Sequence, residues 1–390
     1  MCPTTTTSSR ELASRIARQR CPAHPAPAGR ATGREAPCGK PPGGMPGAYE
    51  IRGAVAADED QLLEVAHHLN TVNLPADRDE IRGILDLSQK SFNGAVKDPR
   101  RREYVFVLVD LDAQRIVGTS MIIGQLGRRD APYVYVDVSE EERYSATLDR
   151  HFRHVVLKIG YSYNGPTEIG GLIVSPMYRS KPERLGLLVS YVRFLYIAMH
   201  RDWFRDELLA ELLPPLEPDG TSHLWNAVGR KFTEMTYAEA DRLSKKNKEF
   251  VKGLFPEGPV YASLLPDDAQ SVIGKVGAQT RGVEKLLERI GFRYAWRVDP
   301  FDGGPHFTAP TDEVSLVRAS HAARLTRLLP AGEHVKTRAL VAVEHAEPPF
   351  FRAVAAPWRR DAAGGAELGA AAVKVLRVSE NDSVWVLPLE

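Results

Sequence analysis

The run Glu103 to Gly124 constrains this chain most. Glu103 to Asp110 (EYVFVLVD) is almost wholly apolar and rich in β-branched and aromatic residues, a short LDAQ connector follows, and Arg115 to Gly124 (RIVGTSMIIG) repeats the character. Two such stretches joined by a turn make a β-hairpin. Tyr49 to Gly53 reads as a short strand before it. Asp58 to Asn70 reads as a helix with Leu62, Leu63, Val65 and Ala66 on one face, and a second helical stretch runs from Arg78 to near Gly94, beyond the turn Asn73-Leu74-Pro75-Ala76.

After the hairpin, Val155 to Ser162 is predicted as a strand. A turn at Asn164-Gly165-Pro166 leads into a further strand, Glu168 to Ser175 (EIGGLIVS). Pro176, a charged loop and a long helix from about Arg184 to His200 come next, with Leu187, Leu188, Tyr191, Phe194, Leu195 and Ala198 at helical spacing. The region from Asp202 to Phe255 reads as mainly helical. A helix from Arg281 to Ile290, Gly291 and the strand Phe292 to Val298 repeat a helix-Gly-Phe-strand ending, which leaves a degenerate second half open. Beyond Phe301 to Pro305 (FDGGP), short strands around Val314 to Val317, Ala339 to Val343 and Ala371 to Val378 suggest a small C-terminal β-rich module. The fold class is α+β, one mixed sheet flanked by helices.

With 390 residues there is room for two or three units. The expected division is an extension at 1–47, a main domain at 48–305 and the β-rich module at 306–390. The extension is rich in Pro, Gly, Ala, Arg and Thr, has little to bury, and is expected to be disordered. A tail, an organelle-targeting segment and a start at Met45 are all open for it. It also holds all three cysteines, Cys2, Cys21 and Cys38, so the rest of the chain has no thiol for catalysis, for zinc or for a disulfide. Lys plus Arg (51) nearly cancels Asp plus Glu (50), so no net field draws the chain to nucleic acid or an anionic membrane. No apolar run approaches the roughly 20 residues of a membrane-spanning helix. A cytoplasmic protein is expected, with no metal site, and a homo- or hetero-oligomer remains open.

The order of elements resembles the acyl-CoA core of the acetyltransferase superfamily. From Tyr49 to Pro310 the chain also resembles the arginine N-succinyltransferase family. That likeness rests on Asn73 to Ala76 (NLPA), Tyr104 to Leu108 (YVFVL), Trp225 to Phe232 (WNAVGRKF), Ala238 to Leu243 (AEADRL), Val272 to Lys275 (VIGK), Gly291 to Tyr294 (GFRY) and Phe301 to Pro305 (FDGGP), in the family's order. The resemblance implies transfer of a succinyl group from succinyl-CoA, a co-substrate rather than a resident cofactor, to the α-amino group of arginine. An acyl-CoA N-acyltransferase with another amine or acyl group, and an inactive binding or regulatory homologue, are the alternatives.

Such a transfer needs a base for the substrate ammonium, donors for the thioester oxygen and amides for the pyrophosphate. Glu168, opening the strand that runs along the acyl chain in this superfamily, is the candidate base. Leu172 matches a family position for succinyl-CoA binding, and its neighbours Ile173 and Val174 continue that strand. Arg179, Arg184 and Gly186 lie in the charged loop YRSKPERLG, where the family carries Arg followed by a glycine-rich turn; Pro182 there has no amide hydrogen. The resemblance places a proton-donating histidine where this chain has Gly277. His223, Tyr178 and Tyr191 are candidate substitutes. Tyr133 to Ser145 (YVYVDVSEEERYS) carries clustered carboxylates that suit either a cation pocket or a hydrated acidic turn. Asp302 marks either a substrate-facing loop or a turn that fixes the junction to the C-terminal module.

Overall fold

The predicted hairpin forms and becomes the middle of a sheet. A computed structural model describes residues 49–67, 75–330 and 332–389; the extension 1–47, residues 68–70 of the first predicted helix and Asn73 and Leu74 lie outside them. β1 (Tyr49–Gly53) pairs antiparallel with β2 (Glu103–Asp110), and β2 with β3 (Arg115–Ile123). Alternation along β2 sends Val105, Val107 and Val109 to one face and Tyr104, Phe106 and Leu108 to the other. α1 (Glu59–His67) and α2 (Arg78–Phe92) cover the first face with Leu62, Ile81 and Leu85. The Asp77 carboxylate starts α2 by accepting the Glu80 amide at 3.0 Å. α3 (Leu185–Met199), buried along most of its length, covers the second face with Val192, Phe194 and Tyr196.

Two strands differ from the sequence reading. Tyr133 to Ser145 is neither pocket nor turn but a long strand, β4, paired over its whole length with β5 (Arg150–Ser162). Its acids are spread along a ribbon and tied to arginines, Arg153 to Glu142 at 2.8 Å and Arg143 to Glu141 at 2.8 Å. The region after Asp202, read as helical, opens with β7 (Glu207–Glu211), which follows β6 (Thr167–Val174) through α3. Its apolar core, Leu208-Leu209-Ala210, is too short to show a period, so a strand and a helix look alike there.

Short helices α4 (His223–Ala227), α5 (Gly229–Thr233), α6 (Tyr237–Lys246) and α7 (Glu249–Leu254) come next. The chain continues through β8 (Val260–Tyr261), α8 (Asp267–Val272), α9 (Arg281–Ile290), β9 (Arg293–Val298) and β10 (Pro305–Pro310). The strand order is β1-β2-β3-β6-β7-β10-β9-β4-β5-β8. Only β6 and β7 run parallel here, and they pair at just two positions, Thr167 with Leu208 and Glu168 with Leu209. Beyond Glu168, β6 runs on to Val174 without β7, so the sheet opens into a V at its middle.

After α10 (Ser315–Ala319), the strands β11 (His321–Leu328), β12 (Arg338–Glu344), β13 (Phe351–Arg360), β14 (Ala366–Leu368) and β15 (Ser383–Leu389) pair in a ring. Its members run β12 to β15, β11, β14, β13 and back to β12, a closed five-stranded barrel. Leu325, Val341, Val354, Leu368 and Val386 are buried in it. Two of the predicted C-terminal strands are helices instead: Val314 to Val317 falls on α10 and Ala371 to Val378 on α11 (Ala370–Leu376). In α11 three successive alanines after Gly369 favour a helix over a strand. β13 also pairs with β1, where Arg352 and Glu50 form an ion pair. The expected boundary at 305/306 meets β10, which belongs to the main sheet. Among the described residues no helix is long and apolar enough to cross a membrane.

Candidate active site

A cavity of about 430 Å³ lies on the α2 side of the sheet, where β6 and β7 part. β3 contributes Met121 and Ile123, β6 contributes Glu168 and Gly170, α2 contributes Ile84 and Leu87, and Glu211 ends β7. Glu80, Glu103, Asp241 and Asp299 also face it, so six carboxylates share one space with seven basic side chains, Arg100, Arg101, Arg102, Arg128, Lys245, Lys246 and Lys248. Glu168 is 8% exposed. Burial first, then the charge of Glu211, pushes its carboxyl up to about 8, while Lys248 pulls the other way. Burial likewise raises Glu211, takes Glu103 to about 7, and takes Asp241 and Asp299 to about 6, Asp299 also feeling Glu211. Glu211 keeps a third of its side-chain area open to the cavity, so burial here means a protein-lined space that a ligand can reach.

β6 bends beside this cluster. Gly171 adopts φ +56°, and between Met121 and Thr119 the register with β3 shifts. This is a β-bulge, a device that re-aims a strand next to a binding site. A Cβ at Gly171 would sit 2.7 Å from Met121 Cγ, so the bulge needs glycine in both conformation and space. The Thr119 hydroxyl donates to the Gly171 carbonyl at 3.0 Å and fixes the turn. Leu172, Ile173 and Val174 follow the bulge. Ile173 and Val174 are buried against β3, and Leu172 is half-buried.

The loop after β6 leads straight to α3. Arg179 donates from Nε to the Val174 carbonyl at 2.8 Å, Arg184 caps α3 at φ +55°, and Gly186 lies in the first turn. Glu168 and this loop thus stand at opposite ends of β6, about 20 Å apart at some 3.3 Å per residue.

The WNAVGRKF and FDGGP segments hold one wall together. Trp225, fully buried, stacks on Phe301 with ring centroids 5.1 Å apart, and Ser222 donates to the Phe301 carbonyl at 2.9 Å. Asp299 accepts the amides of Phe301 (2.7 Å) and Asp302 (3.1 Å), which fixes its carboxylate toward the cavity. Asp302 turns inward: it accepts the Gly304 amide at 2.7 Å and the Tyr237 hydroxyl at 3.3 Å, so it fixes the turn and does not line the cavity.

His223 stands apart from Glu168. Its ring nitrogens meet Asp268 at 3.1 Å and Glu217 at 3.0 Å on α4, away from the cavity wall. Tyr178 donates to Asp110 at 3.1 Å, and Tyr191 accepts from Arg289 at 2.7 Å. Gly277 donates to the Leu213 carbonyl at 2.8 Å, and a Cβ there would lie 2.7 Å from the Pro214 carbonyl oxygen. No side chain fits at 277 without a backbone shift. Glu211, Asp299 and Glu103 escaped the sequence reading, because crowding of carboxylates is set by strands far apart in the chain. Glu211, Asp299 and His306 offer possible ligand atoms within 4.8 Å of one another, although no metal was expected.

A mixed sheet opened between two parallel strands, with a bulged strand leading into a helix N-terminus, is an α+β sheet of the acetyltransferase-like fold. The family described as arginine N-succinyltransferase beta subunit matches residues 49–316. An arginine N-succinyltransferase subunit beta from Pseudomonas aeruginosa is 32% identical over 342 residues, 87% of this chain and 98% of the relative. An arginine N-succinyltransferase from Yersinia pestis is 33% identical over 274 residues, 70% of this chain and 77% of its own length. The solved structure of arginine/ornithine succinyltransferase subunit AI from Pseudomonas aeruginosa superposes with a TM-score of 0.74 at 27% identity, covering 87% of this chain and 98% of that one. This chain belongs to the arginine N-succinyltransferase beta subunit family. It is an acyltransferase, and the family implies an acyl-CoA co-substrate.

Proposed function

We propose that this protein transfers the succinyl group of succinyl-CoA to the α-amino group of L-arginine, releasing coenzyme A. The carboxylates carry this reading, because Glu168, Glu211, Glu103, Asp241 and Asp299, on a lining they share with arginines and lysines, can meet the ammonium and guanidinium of the substrate. Family membership supports the acyl donor. In the reaction Glu168 takes one proton from the ammonium, directly or through water. A carboxyl raised to about 8 is a far better proton acceptor than an ordinary carboxylate, which brings proton transfer from the α-ammonium closer to balance. The neutral amine attacks the thioester carbonyl, the C–S bond breaks, and the second proton lost from nitrogen goes to the departing thiolate, which leaves as the coenzyme A thiol.

The acyl-CoA lies along β6 in this reading. Leu172, Ile173 and Val174 offer backbone where β7 has diverged, and the first turn of α3 with Arg179, Arg184 and Gly186 receives the pyrophosphate. The acyltransferase sheet runs through β10, which ends at Pro310, and the C-terminal strands close into a barrel joined to it through β13 and β1. The Pseudomonas relatives are named as subunits, which supports an oligomeric assembly, and a cytoplasmic location fits the metabolite substrates.

Coenzyme A release, followed with a thiol reagent after mixing succinyl-CoA and arginine, tests the proposal. Release that depends on arginine is the expected result. Release with other amines alone moves the substrate, and no release from folded protein removes the activity.

A further inference from the structure

Arg193 is a buried charge that takes no part in lining the cavity. It lies in the middle of α3, 2% exposed, between helix neighbours such as Val189, Val192, Phe194 and Tyr196 that are fully buried. A guanidinium this deep normally meets a carboxylate, yet among the described residues none lies within 4.0 Å of it. Its donors go to uncharged oxygens instead. Nε donates to the Ser190 carbonyl at 3.1 Å, Nη2 to the Ser190 hydroxyl at 2.8 Å, and Nη1 to the Gly170 carbonyl on β6 at 3.2 Å. The two Ser190 bonds fold the side chain back by one turn and aim its fork at the strand. Gly170 lines the cavity and stands immediately before the bulge residue Gly171. Arg193 thus reaches the cavity strand from the face that α3 covers, behind the cavity.

Two side chains hold successive carbonyls of the bulge, Arg193 that of Gly170 and Thr119 that of Gly171. The Gly170–Gly171 peptide is trans, so its N–H points opposite to its carbonyl, away from Arg193. Gly171 has no cross-strand partner on either side, because the register with β3 skips it and pairing with β7 has ended at Glu168. Its amide faces the open V. A charged donor also polarises the peptide it lands on, which strengthens that peptide's own N–H. Packing alone does not call for this residue: Leu or Met would fill the space without the desolvation cost of a charge.

We propose that Arg193 is a positioning residue for acyl transfer: from behind the sheet it fixes and polarises the Gly170–Gly171 peptide, so that the Gly171 amide is presented to the thioester oxygen of an acyl donor lying along β6. The proposal rests on the placement of acyl-CoA along β6 and not on the choice of base. Two consecutive glycines have no side chains to hold their own conformation, so the tether must come from elsewhere. The thioester oxygen gains negative charge as the amine attacks. A donor fixed beforehand stabilises that charge without reorganising. Without Arg193 the Gly170 carbonyl loses a charged partner, and the peptide is free to turn its amide away.

The test compares wild type with Arg193→Met, Arg193→Lys and Ser190→Ala in two quantities. One is the infrared carbonyl stretch of bound succinyl-CoA, isotope-labelled at the thioester carbon and measured without amine; the other is kcat and KM with arginine. Wild type should pull the stretch below its frequency in solution. Arg193→Met, unbranched and uncharged, should return it toward the solution value and lower kcat about 10- to 100-fold, approaching the roughly 10² to 10³ of a deleted oxyanion donor, with KM for arginine changed by less than about threefold. Arg193→Lys, which keeps the charge and a donor for Gly170, should recover most of both. Ser190→Ala, which loosens the fork, should move both the same way by less and covers the case in which Arg193→Met does not fold. A role in packing alone would lower the melting temperature and leave the stretch at its wild-type frequency. A folded Arg193→Met enzyme, or failing that Ser190→Ala, with wild-type stretch and kcat overturns the proposal. So does a wild type that binds succinyl-CoA without shifting the stretch. A wild type that shifts the stretch but does not turn over arginine fails the functional reading alone, so the two failures are distinguishable.

Discussion

The cavity and the C-terminal barrel treat buried charge in opposite ways. In the barrel, Glu367 is 7% exposed and is met by two arginines, Arg327 at 3.0 Å and Arg359 at 3.6 Å. In the cavity, Glu168 is as buried but is crowded by carboxylates, with Lys248 as the opposing charge. The strands differ likewise. The barrel closes on itself and leaves no edge among its five strands, whereas β6 carries a bulge and is abandoned by β7 after two residues. The barrel has a register shift of its own between β11 and β14, yet its ring of pairing closes and its buried acid is held between arginines. Like-charge crowding and a strand parted from its neighbour coincide at the place where an acyl donor and a cationic amine would meet.

The contrast breaks most readily at Glu168. Glu168→Gln keeps size and removes the ionisable group, so arginine-dependent turnover should fall by about 10² to 10⁴ while acyl-CoA affinity stays near wild type, as measured by calorimetry. In the barrel, Arg327→Met with Arg359→Met leaves Glu367 buried and unpaired. That should cost about 1 to 3 kcal/mol in urea unfolding and leave kcat unchanged. Trp225→Ala, which opens a hole under Phe301, should cost about 3 to 5 kcal/mol and raise KM for the amine, linking stability to the cavity wall.

Two smaller effects sharpen the contrast. Gly277→Ala should cost about 1 to 3 kcal/mol, because its Cβ would press on the Pro214 carbonyl. The smallest is a sign in the pH dependence of stability. Glu168 is raised in the folded state from an ordinary 4.5 to about 8, so between those values the folded protein holds a proton that the unfolded chain has lost. Its contribution to stability therefore declines as pH rises through that window and levels off above it. Glu168→Gln should melt closer to wild type at pH 5 and above it at pH 9.

Much of the body was legible in the sequence because its signals are local. The hairpin β2 and β3, strand β6 and helix α3 each carry a run long enough to show its period, and Glu168 sits at the start of a recognisable strand. β7 was not legible: three apolar residues between two acids show no period, yet this strand supplies Glu211 and the far side of the V. β4 misled because its charges, spread along both faces of a ribbon, look in one dimension like an acidic turn. The carboxylate cluster is a tertiary fact, assembled from β2, β6, β7, α6 and the turn after β9. The resemblance pointed toward a missing histidine at Gly277, and only the folded backbone reveals that no side chain fits there without a shift.

The measurement that bears most directly on this account is kcat/KM for arginine against pH, from about 6 to 10, in wild type and Glu168→Gln. An acid limb near pH 8 in wild type, with activity lost as pH falls because the base becomes protonated, and its absence in a nearly inactive Glu168→Gln, is the predicted result. A folded Glu168→Gln enzyme with the wild-type rate and the same limb would contradict it and remove Glu168 from the chemistry.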